Sequence, residues 1–308
     1  MDELETLLSP SNPLTKDRKT DEYNTPLCNG PVALLRALRK AGFDMLVTAN
    51  NHCCDYGVEG IIETKEKLDR YHFANTGTSY PSDRPDPQND YCIFEVKGIN
   101  IAVLSYTHLI NRRADLSSNE LETMVNRYDL ERVTRDIANA KAAGAEFVIV
   151  YCHWGIENSE EPAEYQIRDS ERIAEAGADL IIGSHPHCIQ PGRYITTSDS
   201  RRVFCIYSMG NFCSSMERDI NNDTLILRLA LTRDPDGTVI SECSYIPCRV
   251  MSYRSHEFVV VPTDPELNGG LSDDRLKAAD ERITAIIENT EDGELPIYRK
   301  SAGISAGR

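Results

Sequence analysis

Basic residues are in short supply: 33 Lys and Arg stand against 49 Asp and Glu, for a formal net charge of −16 and a pI near 4.9. So acidic a chain has no broad electrostatic grip on DNA, RNA or an anionic bilayer, because each requires clustered Lys and Arg. Nucleic acid is therefore not an expected partner. An anionic substrate stays open, since a bound cation creates a local positive field whatever the net charge. Also missing is any run approaching the ~18–20 apolar residues of a membrane span. Met1 is followed by Asp2, Glu3 and Glu5, not by the basic and apolar regions of a signal peptide. As given, the sequence reads as cytoplasmic. There is no GxxxxGK phosphate loop, no G-x-S-x-G elbow and no GxGxxG after a strand, which removes the commonest nucleotide-binding and serine-hydrolase readings.

Ten cysteines are present without a paired framework, and several lie inside apolar strand-like runs. The expectation is reduced, mostly buried thiols, with a disulfide set as the alternative. At 308 residues with 40% hydrophobic content, the chain has room for one large α/β domain with additions. Residues 1–29 are polar and aperiodic and read as an extended loop. Helical spacing follows over 30–40 and 58–71, with a short strand over 43–47 between them. A hairpin is expected from 91–96 and 101–106 around Lys97-Gly98-Ile99-Asn100. A helix over 129–143 leads to the apolar run 146–152, and a helix over 162–176 leads to a strand over 179–182. Val203–Tyr207 gives one more strand. Beyond it the texture changes to strands without helices, over 224–232, 239–247 and 257–261, and then a late helix over 272–289, expected outside the core. The organisation read from this is one catalytic-type domain over 1–262 and a C-terminal helix with a flexible tail over 263–308.

Four of the seven histidines, His52, His153, His185 and His187, stand directly after predicted buried strands. The unit of helix, Gly turn, strand and His loop occurs three times. Ligands of α/β sheets bind at the carboxyl ends of strands, so the repetition aims these loops at one edge. Imidazole with amide or carboxylate oxygen suits Zn, Mn, Fe or Ni, whereas Mg and Ca want mostly oxygen. Asn51 is a neutral oxygen donor, with helix capping as its plain alternative, and the neighbouring His52 is placed to protonate a leaving oxygen. Cys53, Cys152 and Cys188 flank the loops, but their spacings match no standard Cys-pair zinc site. Asp55, Glu157 and Gln190 read either as partners that fix ring tautomers or as ordinary surface polars, and Asn211 joins them from the last strand-end loop. His72, His108 and His256 lack the strand-end context and read as structural.

Ala49-Asn50-Asn51-His52 with Asp55-Tyr56-Gly57, His153-Trp154-Gly155 with Glu157, Gly183-Ser184-His185-Pro186-His187 with Gln190, and Tyr207-Ser208-Met209-Gly210-Asn211-Phe212 form four ordered motifs. Together they resemble the bacterial capsule-synthesis proteins of poly-γ-glutamate biosynthesis, a branch of the calcineurin-like metallophosphoesterases, from about Leu4 to Phe212. The resemblance implies an α/β fold, a four-layer αββα metallophosphoesterase-like sandwich with a metal centre at the strand ends. By motif position Asn51, His153 and His185 look like ligands of one metal, His187 like a ligand of another, and His52 like the acid near the leaving group. Leu4-Glu5-Thr6 resembles the family's Asn-Leu-Glu segment, which makes Glu5 the bridging carboxylate, although Glu3 stands where Asn is usual. The family opens with a strand ending in Gly-Asp, whose aspartate is a ligand, and this sequence starts after that point. It is read either as a fragment or as a sandwich lacking its first strand and one ligand. Family members are often anchored outside the cell by an N-terminal helix, so an extracellular, membrane-anchored location is implied if such a segment precedes Met1.

The leading expectation is a metal-dependent hydrolase using one or two divalent ions, Mn, Zn or Fe, on a phosphoester or on an amide or ester link of a capsule-like polymer. Its substrate is then a small molecule or polymer that is anionic, phosphate- or glutamate-containing, and its partners are capsule-synthesis proteins. The alternative is a non-catalytic accessory protein of polymer synthesis or export that keeps the fold. A purely structural protein with core histidines is the third reading.

Overall fold

Short apolar runs separated by helical-period segments, some closed by glycine, make helices and buried strands alternate along the first half of the chain. The computed structural model describes residues 1–15, 26–81, 91–235, 237–253 and 257–288, and its fold is mixed α/β. His256, the tail from Ser301, Asn289 at the end of the late helix and residues 16–25 of the N-terminal loop lie outside the described residues. The chain divides into two compact units, Met1–Trp154 with Glu175–Ala178, and Gly155–Ala174 with Asp179–Arg308.

In the first unit β1 (Asp2–Glu3) pairs in parallel with β2 (Met45–Val47), which pairs in parallel with β3 (Ala74–Thr76). Helix α1 (Ala33–Ala41) ends where Gly42 takes φ 93°, the Gly42 N–H bonding the Arg39 carbonyl and the Phe43 N–H the Leu38 carbonyl. Helix α2 (Gly57–Arg70) follows β2, and Leu4, Leu8, Leu35, Leu46, Leu68 and Phe73 form one buried cluster. Each such side chain contributes on the order of 1.5–3 kcal/mol through its burial. The expectation of a loop over residues 1–29 is therefore corrected at its start. Leu4, Leu7 and Leu8 are buried and Asp2–Glu3 is a strand, too short to show a period.

A close approach locks the end of β3 onto the loop after β2. Gly77 sits at φ 116°, and a Cβ there would lie 2.4 Å from the Ala49 nitrogen. Gly77→Ala is expected to cost about 2–5 kcal/mol, the sum of a left-handed non-glycine conformation and overpacking against backbone. Urea denaturation reads this as a lowered midpoint, and an unchanged midpoint contradicts the packing described.

The hairpin forms as β4 (Tyr91–Val96) and β5 (Ile99–Thr107), with a turn shorter than expected. Only Lys97 and Gly98 lie between the strands, both at positive φ (50° and 85°), the two-residue turn whose twist suits antiparallel strands. Strand β5 also pairs in parallel with β6 (Phe147–His153), which is buried at every residue. A helix not foreseen, α3 (Ser118–Met124), starts from a capping box of Ser117 and Glu120. Helix α4 (Leu130–Ala142), capped by the Asp129 side chain, packs on β4, β5 and β6.

In the second unit α5 (Glu164–Glu175) precedes β7 (Leu180–Ser184). Strand β9 (Arg202–Met209) pairs in parallel with β7 and antiparallel with β8 (Ile189–Thr196). Strand β8 was not expected, because Pro191 and Gly192 interrupt its pattern; Pro191 is tolerated where no ladder N–H is required. After the four-residue helix α6 (Asp219–Asn222), β10 (Asp223–Asp234), β11 (Gly237–Tyr253) and β12 (Glu257–Pro262) form an antiparallel sheet in that order. Helix α7 (Asp274–Glu288) does not lie outside the core as expected. It packs on β8, β10 and β11, with Leu276, Ala279, Ile283 and Ile287 buried. No disulfide joins any of the ten cysteines, all of which lie among the described residues. No described helix is long and apolar enough to cross a membrane.

Candidate metal centre

Strand β6 delivers His153 at its carboxyl end, fully buried, because an apolar run covered on both faces leaves its last side chain no access to solvent. The Glu3 carboxylate lies 2.9 Å from His153 Nδ1. A carboxylate only accepts, so Nδ1 donates and a neutral ring presents its lone pair at Nε2. That nitrogen lies 3.9 Å from the Glu5 carboxylate, beyond hydrogen-bond reach and close enough for both to serve one ion. Sequence reasoning missed Glu3, having noted it only as a departure from the family's usual Asn. The signal was there: a second carboxylate two residues before Glu5, at the end of the segment paired with β2.

The loop after β2 places the next donors. Buried Asn50 donates to the Leu4 carbonyl at 2.9 Å and accepts the His52 backbone N–H at 3.0 Å, so it ties the start of the chain to this loop. Asn51 is buried, and its side-chain oxygen accepts no hydrogen bond among the described residues. A buried acceptor left unsatisfied costs about 1–3 kcal/mol, and a cation ligated there removes that cost. The neighbouring His52 has Nδ1 at 2.7 Å from Asp55 Oδ2, which also accepts the Cys28 backbone N–H at 2.6 Å. Burial alone would lower the His52 pKa. The Asp55 hydrogen bond and then the Cys28 thiol outweigh it and push the value up to about 11, so the ring is charged at neutral pH. Cys28, His52 and Asp55 each bring a potential ligand atom within 4.8 Å of the others. The charged ring bonded to its carboxylate makes this trio a hydrogen-bonded cluster first.

In the second unit the turn after β7 carries His185 at φ 97° and His187 at φ 58°, left-handed conformations that non-glycine residues rarely adopt. Their rings stand 5.9 Å apart at 52°. Asn211 gives its amide hydrogens to the carbonyls of His187 and Asn221, so its oxygen faces His187 Nδ1 at 2.9 Å. Nδ1 is thereby the donor, and Nε2 is again the lone-pair nitrogen. Glu157, His185 and His187 each place a ligand atom within 4.8 Å of the others. Buried Asn221, unforeseen, donates to the His187 carbonyl at 2.9 Å and to Asn158 Oδ1 at 3.0 Å. Gln190 is placed differently from either expectation: fully buried, it accepts from Gln166 and donates to the carbonyls of Ser159 and Glu161, holding that loop instead of a ring.

Of the remaining histidines, His108 stacks on Tyr128 with centroids 4.0 Å apart, and His72 turns the chain after α2 at φ 59°. The first unit thus brings Glu3, Glu5 and His153 together, and His52 with Asp55; the second brings His185, His187, Glu157 and Asn211 together. Three rings, His52, His153 and His187, have Nδ1 fixed by a side-chain oxygen. That is the arrangement by which outer partners orient metal-binding or proton-donating imidazoles. Imidazole, carboxylate and amide oxygen with an unsatisfied buried acceptor fit a borderline divalent cation such as Zn, Mn or Fe.

The PGA biosynthesis protein CapA of Bacillus subtilis (strain 168) is 28% identical over 203 residues, covering 66% of this chain and 51% of that protein. The capsule biosynthesis protein CapA of Bacillus anthracis is 27% identical over 209 residues, covering 67% and 48%. The chain thus spans about half the length of these relatives. Among solved structures, the calcineurin-like phosphoesterase YfkN from Bacillus subtilis is similar at a TM-score of 0.43 and 15% identity, over 82% of this chain and 72% of that one. Likeness at that level assigns no chemistry. The model of the bacterial capsule synthesis protein PGA_cap matches residues 3–216, which include Glu3, Glu5 and all four strand-end histidines. With more than two thirds of its length matched, the chain belongs to the bacterial capsule synthesis protein PGA_cap family.

Proposed function

We propose that this chain is a metal-dependent hydrolase of the phosphoesterase type that acts on an anionic, phosphate- or glutamate-containing substrate in capsule polymer biosynthesis. The observation that carries the reading is His153: fully buried, fixed at Nδ1 by Glu3, and facing the Glu5 carboxylate with its other nitrogen. A core histidine that served packing alone would not need a second carboxylate across from its lone pair. Membership of a capsule-synthesis family supports the polymer context.

In this reading Glu5, Asn51, His153, His185 and His187 are the residues that hold one or two divalent ions. A bound divalent ion supplies Lewis-acid polarisation and a nucleophile available at neutral pH. The chain's own groups do the rest. Glu3 and Asn211 keep the lone-pair nitrogens of His153 and His187 aimed. His52, charged and held by Asp55, donates its proton to the leaving oxygen, and Asp55 keeps the ring from rotating away.

Elemental analysis of the purified chain, followed by a panel of phosphomonoesters, phosphodiesters and γ-glutamyl amides with added Mn2+, tests this. The expected result is bound metal together with turnover of at least one class. Metal without turnover on any of them would shift the chain to a non-catalytic accessory role in polymer synthesis or export. Absence of both would remove the proposal.

A further inference from the structure

We propose that Glu157 is a carboxylate ligand of a divalent cation held in the second unit with His185 and His187. This rests on the metal-dependent reading above and goes beyond it, since that reading places no carboxylate beside His187.

Glu157 is bracketed by two backbone devices that fix where it stands. Before it, Gly155 takes φ 100°, and a Cβ there would meet Pro186 Cγ at 2.9 Å and the Gln166 side chain at 3.0 Å. The Tyr165 hydroxyl accepts the Gly155 N–H at 2.5 Å and donates to the Gly155 carbonyl at 3.1 Å. After it, Asn158 takes φ 60°, and its N–H bonds the Pro186 carbonyl at 2.8 Å. Asn221 then bonds Asn158 Oδ1 and the His187 carbonyl with one amide group. The 155–158 loop is thus fastened to the His185-Pro186-His187 turn on both sides of Glu157, and its carboxylate comes within 4.8 Å of a ligand nitrogen on each ring.

Three non-glycine residues of this small region, Asn158, His185 and His187, adopt left-handed backbone conformations. Such conformations cost about 1–3 kcal/mol each and persist where the surroundings over-determine them, as at ligand sites. Two imidazoles and one carboxylate, with one position left open, are the donor set of catalytic zinc sites and of non-haem iron sites. An exposed Glu held only by solvent would need none of this fastening. Glu157 also supplies the second unit's ion with an anionic ligand, which the neutral pair His185 and His187 lacks.

The test uses the full chain, stripped with EDTA and titrated calorimetrically with Zn2+ alone. Glu157→Gln keeps the side chain's size and removes its charge. It should weaken one site by at least about tenfold, the lower end of what loss of even an outer partner costs. The metal-free unfolding midpoint should stay where it is, because the residue is exposed. Wild-type affinity and stoichiometry in Glu157→Gln, beside a lost site in His187→Ala, would overturn the Glu157 assignment and leave the hydrolase reading standing. A lowered metal-free midpoint in Glu157→Gln would make the residue structural and would overturn it too. No uptake of Zn2+ by the wild-type chain would overturn both.

Discussion

His153→Ala is expected to abolish metal retention and hydrolysis together. The ring sits at the end of a strand with every residue buried, so its position is set by the sheet and no neighbour can swing in to replace it. Loss of one protein ligand from a set this small removes both affinity and the oriented coordination that chemistry requires. The substitution also leaves the buried Glu3 carboxylate without its ring, and breaking a buried charged hydrogen bond costs several kcal/mol by itself. Glu3→Gln separates the two effects. It retains an acceptor oxygen for Nδ1 but withdraws the charge that raises the ring's basicity, and should weaken metal binding about 10–100-fold with the fold intact. Wild-type metal content in His153→Ala would strip this residue of its ligand role.

Chelation is the second large effect. An ion bound to the folded chain at 100 times its dissociation constant stabilises by about 2.7 kcal/mol. For a chain of this length that corresponds to a fall in Tm of roughly 4 °C when EDTA removes it. The fall should disappear in a His153→Ala, His187→Ala double variant, which has nothing to lose. A Tm indifferent to chelator in the wild-type chain would point to histidines that serve the core alone.

Much of this was readable in the amino-acid sequence, and the reasons are local. The strand-end histidines stood out because β2, β6 and β7 are short apolar runs followed at once by polar loops, a pattern that burial imposes on neighbouring residues. Helix α1 announced its own end through Gly42, and α4 its start through Asp129. What stayed hidden depends on partners distant in the chain. Glu3 acquires meaning only when a residue 150 positions away places a ring nitrogen beside it. Asn221 lies in a four-residue helix with no periodicity, yet one amide group joins two loops. Strand β8 was masked by Pro191 and Gly192, and Gly192 is there because a Cβ would meet the Phe204 ring at 2.8 Å. Gln190 looked like a ring partner from its spacing after His187, but a step along a strand sends it to Gln166 and the 159–161 loop.

The fixed imidazoles of this chain are expected to hold a divalent cation. Anomalous scattering from crystals of the full chain, recorded above and below the absorption edge of the metal found by elemental analysis, tests it most directly. An anomalous peak is expected in bonding contact with His153 Nε2. A metal-replete crystal with its anomalous peaks only at surface carboxylates, and none at His153 or His187, would contradict it.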